Sequence, residues 1–213
     1  MNAVAVFDAA INRAAAGIPA AFTARHASGS LLRFDPIAWC QDAIAGDEAL
    51  LDRCTGPTLD VGCGPGRLTG ALTGSGRPAL GIDVSAAAIR LARRRGAIAL
   101  QRDVFDPVPG TGRWQHLLLA DGNIGIGGNP HRLLRRCREL LGPAGFLHAE
   151  LAPPGTPAWS GIATVQTPAG QGSPLRWACV PVDGLSALAS AAAMRILDTR
   201  TEAGRWFATL TLR

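Results

Sequence analysis

Seven consecutive residues, Asp60-Val61-Gly62-Cys63-Gly64-Pro65-Gly66, have the types and spacing to do chemistry. A short apolar run ends in an acid, three glycines alternate with other residues, and a helical pattern follows. Glycine lets backbone run close to a ligand, and the ligand such a loop suits is a nucleotide. Asp83 stands 21 residues after Gly62, about the spacing at which an acid meets ribose hydroxyls. A dinucleotide fingerprint would place a third glycine three residues after the second, where this chain has Arg67. Pro65 also removes a backbone N–H that a pyrophosphate cradle would use. The better fit is a nucleoside without phosphates. A second group lies in ADGNIGIGGNP, residues 120–130, where Asp121 and Asn123 stand among four glycines. Asp121 could serve as a base or as an orienting group, and Asn123 could contact a substrate. The alternative is that Asp121 caps a turn and the glycines only lead into the next helix.

The elements around these residues must position them. TLDVG (58–62), ALGIDV (79–84), AIALQRDV (97–104), WQHLLLAD (114–121) and GFLHAEL (145–151) read as strands, with helices at 67–74, 85–96 and 130–142 between most of them. That alternation implies a parallel sheet covered on both faces. Ser85 is a helix cap, and Asp35 followed by Pro36 reads as a cap with proline at the first helical position. Residues 1–57 are rich in alanine and read as helical. After 151 the chain turns to Pro, Gly, Ser and Thr. Residues 174–182 suit an extra strand, 184–194 a helix, and 195–213 a hairpin around Glu202-Ala203-Gly204.

The motif 60–66, with Asp83 and Asp103 closing the next two strands, resembles the class I S-adenosylmethionine-dependent methyltransferases over residues 55–151. The resemblance implies a doubly wound α/β Rossmann-like sheet of seven strands, order 3-2-1-4-5-7-6, with an antiparallel last strand. It also implies roles. Gly62, Cys63, Gly64 and Gly66 would form the loop beneath the methionine and ribose parts of the cofactor. Asp60 would orient the methionine amino group, Asp83 would take both ribose hydroxyls, and Val84 would meet the adenine face. Asp103 and Val104 would hold the adenine edge, and Ala120 would line the site beside Asp121 and Asn123. The expected cofactor is S-adenosyl-L-methionine, and the expected reaction is in-line transfer of a methyl group to the oxygen or nitrogen of a small molecule. An RNA or protein methyltransferase is one alternative. A nucleotide-binding oxidoreductase, or a binder that transfers nothing, is the alternative of another class. The single domain 1–213 divides into a helical cap (1–54), a cofactor-binding core (55–151), a substrate-side insertion (152–182) and a C-terminal helix and hairpin (183–213). Phe34 and Trp39 are expected over the cofactor, and Trp159 and Trp177 along the acceptor pocket.

Composition narrows the classes. The chain has 213 residues, 47% of them hydrophobic and 17% charged, as a globular protein has. Its net charge is +5, and all 21 basic residues are Arg. No aromatic residues interleave with the Arg runs at 93–95 and 132–138, which argues against a nucleic-acid partner. Five Cys without a CxxC pair suit neither a disulfide framework nor a zinc site, and no carboxylate cluster suggests magnesium, so no metal is expected. Cys63 reads as a small loop residue. No apolar run reaches the roughly 18 residues of a membrane span, and the N-terminus lacks the basic start of a signal peptide. The expected setting is the cytoplasm, with a small-molecule partner and no membrane. Nothing in the sequence sets the oligomeric state.

Overall fold

The computed structural model describes residues 2–166 and 172–213. Its elements, in chain order, are α1 (Ala3–Ala15), β1 (Phe22–His26), β2 (Leu31–Phe34), α2 (Pro36–Cys40), α3 (Glu48–Leu51), β3 (Thr58–Val61), α4 (Arg67–Gly74), β4 (Ala79–Asp83), α5 (Ala86–Arg94) and β5 (Ala99–Gln101). There follow β6 (Trp114–Leu119), a 3-10 turn (Asn123–Gly128), α6 (Pro130–Leu140), β7 (Leu141–Leu151), β8 (Trp159–Gln166), β9 (Ser173–Cys179), α7 (Leu185–Ala191), β10 (Met194–Glu202) and β11 (Arg205–Leu212).

Seven strands form one sheet in the order β10-β11-β7-β6-β3-β4-β5. The strands β5, β4, β3, β6 and β7 run parallel, and β11 is antiparallel to both neighbours, β7 and β10. This is the expected order 3-2-1-4-5-7-6. The central strands are apolar on both faces because helices cover both. Leu59, Ile82, Leu117, Leu119 and Leu147 belong to one core, and Leu68, Leu72, Leu118 and Phe207 to another. Capping follows the sequence. The Ser85 hydroxyl accepts from the Ala88 N–H, and Asp35 accepts from the N–H groups of Ile37 and Ala38.

A second sheet departs from expectation. Residues 1–57 are helical only at α1, α2 and α3. Residues 22–34 form a hairpin, β1 and β2, which turns at Gly29 with φ +89°. The hairpin exists because β8, also not anticipated, pairs with β1 and brings β9 with it, giving the order β2-β1-β8-β9. Phe22, Ala24, Ala163, Val165 and Leu175 are buried with Val6 and Ala10 of α1 in a core of their own. Of the insertion expected at 152–182, residues 167–171 lie outside the described residues. The strand expected over 97–104 shortens to Ala99–Gln101, because Asp103 turns the chain by accepting from the Phe105 N–H at 2.9 Å. Among the described residues no helix is long and apolar enough to cross a membrane.

The small sheet and α1 stand over the carboxyl ends of the large sheet's strands. Asp8 of α1 accepts from the Ser85 hydroxyl and the Ala87 N–H at the start of α5. Arg95 donates to the carbonyls of Cys40 and Pro65, tying α2 to the glycine loop.

Candidate active site

A cavity of about 420 Å³ opens at the carboxyl ends of β3, β4 and β6. Its floor is the glycine loop. The N–H groups of Gly62 and Cys63 donate to the Ile82 carbonyl at 2.8 and 3.0 Å, and the Gly64 N–H donates to Asp83 Oδ2 at 2.9 Å. Gly62 has φ +75°, and a Cβ there would stand 2.7 Å from Asn123 Nδ2, so only glycine fits. A Cβ at Gly64 would meet nothing within 4 Å. That open face on the cavity is where a ligand's backbone-hugging part has room. Gly66 is the exception among the loop residues expected to line the site. It does not line the cavity, and a Cβ there would come within 2.7 Å of the Ala92 Cβ, so it lets α4 approach α5.

The other expected cofactor residues do line it: Asp60, Gly62, Cys63, Gly64, Asp83, Val84, Asp103, Val104 and Ala120. Asp60 is buried, and its Oδ2 accepts from the Thr69 hydroxyl at 2.7 Å. Burial pushes its carboxyl up to about 6, against the Thr69 hydrogen bond and the Arg67 charge. Asp83 accepts from the N–H groups of Ser85 and Gly64, one on each oxygen, and burial raises its carboxyl. Each of its oxygens keeps a lone pair for a further donor. Burial, then the charges of Asp60 and Asp83, hold the Cys63 thiol well above its ordinary value, so it is no nucleophile.

Asp121 and Asn123 also line the cavity, beside the glycine loop. The Asn123 amide donates to the carbonyls of Val61 and Gly62 at 3.0 and 2.9 Å, which leaves only its oxygen for a ligand. Asp121 is a left-handed residue with φ +52°. Its N–H donates to Glu150 at 2.6 Å, and its carboxylate takes Arg67 at 2.6 Å and Arg205 at 3.4 Å. Burial raises its carboxyl, and the two guanidinium groups oppose the rise. Arg67 also pairs with buried Asp47, and Arg205 pairs with Asp47 at 2.9 Å and Glu150 at 2.8 Å. In the sequence Arg67 reads only as a missing glycine, and nothing singles out Asp47 or Arg205. No local pattern marks them, because the five partners come from five separate stretches of chain.

Phe34, Trp39 and Trp177 line the cavity with Phe7 of α1. Phe34 sits on β2, not on a helix. Trp159 lies away from the cavity, stacked on His26 with centroids 4.8 Å apart. His116 and His148 lie elsewhere in the core and hydrogen-bond each other at 3.1 Å. With Cys54 they place three metal-type donors within 4.8 Å. Thr55 and Thr209 occupy the outer nitrogens, and Arg53 and Arg200 both reach Thr209, an environment that disfavours a cation.

Comparisons with known proteins agree with this geometry. Residues 58–145 match a family model described as a methyltransferase domain. No curated protein matches the sequence. Among solved structures, a SAM-dependent methyltransferase from Bacteroides fragilis, in complex with S-adenosyl-L-homocysteine, is similar over 97% of this chain and 94% of its own, with TM-score 0.76 and 21% identity. The sugar N-methyltransferase KedS8 from Streptoalloteichus is similar over 81% of this chain and 88% of its own, with TM-score 0.61 and 19% identity. The 1,6-didemethyltoxoflavin-N1-methyltransferase of Burkholderia thailandensis, with 1,6-didemethyltoxoflavin and S-adenosylhomocysteine bound, is similar over 78% of this chain and 76% of its own, with TM-score 0.57 and 18% identity. At such identities the likeness is one of fold.

Proposed function

We propose, for a chain whose core is a methyltransferase domain of the S-adenosylmethionine-dependent kind, that it transfers a methyl group to a nitrogen of a small molecule. The observation that carries the reading is the cavity over the glycine loop, where Asp83 and Asp103 stand at the ends of neighbouring strands. The residues fit S-adenosylmethionine. Gly64 opens on free space, Asp83 has lone pairs for the two ribose hydroxyls, and Asp103 and Val104 lie beyond it for the adenine edge. When bound, this group supplies an electrophilic methyl on a sulfonium. The chain's residues do the rest. Phe7, Phe34, Trp39 and Trp177 keep water from the cavity, and the glycine loop and Asp83 fix the donor so that an acceptor can approach in line.

Two features favour nitrogen. Methylating an alcohol calls for a base, yet the described cavity lining contains no histidine, the chain contains no lysine, and Asp121 is engaged by two arginines. A neutral amine carries its own lone pair and needs none. Two of the similar structures are N-methyltransferases. The small, aromatic-walled cavity suits a metabolite better than RNA or protein.

Calorimetric titration with S-adenosylmethionine, with NAD as the control, tests the reading in wild type and Asp83→Ala. Binding of S-adenosylmethionine alone is expected, weakened by about 1.5–3 kcal/mol when the charged acceptor is removed. Preference for NAD would overturn it. A panel of small amines and alcohols, scored by S-adenosylhomocysteine release, then separates nitrogen from oxygen.

A further inference from the structure

The charged cluster beneath the cavity has a feature that packing alone does not require. Asp121 is the one member that lines the cavity together with Arg67, and its backbone is held in a left-handed conformation that a non-glycine residue adopts at a cost. Three separate stretches of chain hold it there. Glu150, ending β7, takes its N–H at 2.6 Å. Arg67, opening α4, takes one carboxylate oxygen, and Arg205, opening β11, approaches the other. Arg205 is itself fixed by a two-point grip on Glu150, Nε to Oε1 at 3.0 Å and Nη2 to Oε2 at 2.8 Å. Asp47, which is buried, ties the two arginines together from below. Three carboxylates against two guanidinium groups leave the cluster one negative charge in excess, with Asp121 as its face toward the cavity. The Asp121 charge in turn helps raise the carboxyl of buried Asp60, which lines the same cavity.

We propose that Arg205, far from the glycine loop in sequence, is a positioning residue for methyl transfer: with Arg67 it holds the Asp121 carboxylate ionised, while Glu150 grips Arg205 and the Asp121 N–H so that the carboxylate faces the reacting centre. The inference rests on the methyltransferase reading above. In transfer to an amine, the nitrogen lone pair forms the new N–C bond, the C–S electron pair goes to sulfur, and the nitrogen later releases its proton to water. One positive charge therefore stays at the centre throughout, moving from sulfur to nitrogen. A fixed carboxylate beside it stabilises that charge without reorganising.

Carbon-13 NMR titration of aspartate carboxyls in the cofactor-free protein tests the clamp directly, with Asp121 assigned by its loss in Asp121→Asn. In Arg205→Gln the Asp121 midpoint is expected to rise by about one pH unit or more, since a nearby opposite charge depresses a carboxyl by that amount. Calorimetry supplies the second readout. Relative to S-adenosylhomocysteine, which lacks the positive charge, S-adenosylmethionine is expected to weaken about 10-fold in Asp121→Asn and in the same direction in Arg205→Gln. Affinity for S-adenosylhomocysteine should hold. Should Arg205→Gln fold poorly, the double variant Arg205→Gln, Glu150→Gln is compared with Glu150→Gln alone, because the Glu150 charge itself raises the Asp121 carboxyl; the midpoint is expected to rise from the single to the double variant. An unmoved midpoint with an unmoved ratio overturns the clamp. Failure of wild type to bind either ligand overturns the methyltransferase reading instead.

Discussion

At the scale of single residues, the same element type serves opposite ends. Asp60, Asp83 and Asp121 are carboxylates at a cavity, and burial raises all three. What separates them is their partners: a threonine hydroxyl, two backbone N–H groups, and two arginines. His148 shows burial working on a base. Burial, then the positive neighbours His116, Arg200 and Arg53, press its imidazole down to about 3. In the unfolded chain it titrates near 6.5. Between those values the unfolded state binds a proton that the folded state refuses, so stability is full above about pH 6.5 and is lost as pH falls toward 3. The slope from this group is at most about 1.4 kcal/mol per pH unit. Denaturant unfolding from pH 7 to 4 should show that loss, and His148→Gln should flatten it relative to wild type.

At the scale of elements, α1 is fastened by one side chain with unusual reach. Asp8 places its carboxylate on the first turn of α5, where the helix offers free N–H groups and a favourable dipole. The same turn is capped by Ser85, two residues from Asp83. Asp8→Ala should therefore cost about 1 kcal/mol, as loss of a cap does. Its signature should be local: faster hydrogen exchange at residues 3–15 and unchanged exchange in β3 and β4. Equal acceleration across the large sheet would contradict this role. The core elements were legible because each carries its own signal: a cap, a glycine stop, an apolar run. The hairpin at 22–34 was not, since β1 and β2 are five and four residues long and β1 is held in a sheet by pairing with β8, more than a hundred residues on.

At the scale of the whole molecule, the small sheet roofs the site by resting on the turn that follows β6. Gly128 has φ +68°, and a Cβ there would stand 2.5 Å from the Gly161 carbonyl and 3.0 Å from the Trp177 N–H. Gly125 is as tight against Ala178 and Trp177. Gly125 and Gly128 are thus a seat for the small sheet, whereas Gly127 lines the cavity against Phe105 and a Cβ at Gly122 would meet nothing within 4 Å. Gly128→Ala is expected to lower stability by about 1–3 kcal/mol through strain. It should also raise KM for the acceptor while leaving cofactor affinity intact, because the floor of the cavity belongs to the large sheet. Matched losses of both affinities would show that roof and floor are one unit.

The order of the large sheet was implied by the family resemblance; the sequence by itself determined its core strands and helices, and the loop with its acids at successive strand ends. Those features rest on local causes, namely hydrophobic period, capping and the steric freedom of glycine, which act within a few residues. The tertiary structure alone decided what surrounds Asp121. Asp47, Arg67, Glu150 and Arg205 carry no shared spacing, and a charge is read as a surface residue until the fold shows its partner. It also decided that Gly66 serves helix packing, that Asn123 braces the glycine loop, and that Phe7 joins Trp177 over the cavity. Each depends on contacts between distant stretches of chain, whose energies exist only once the backbone has brought them together.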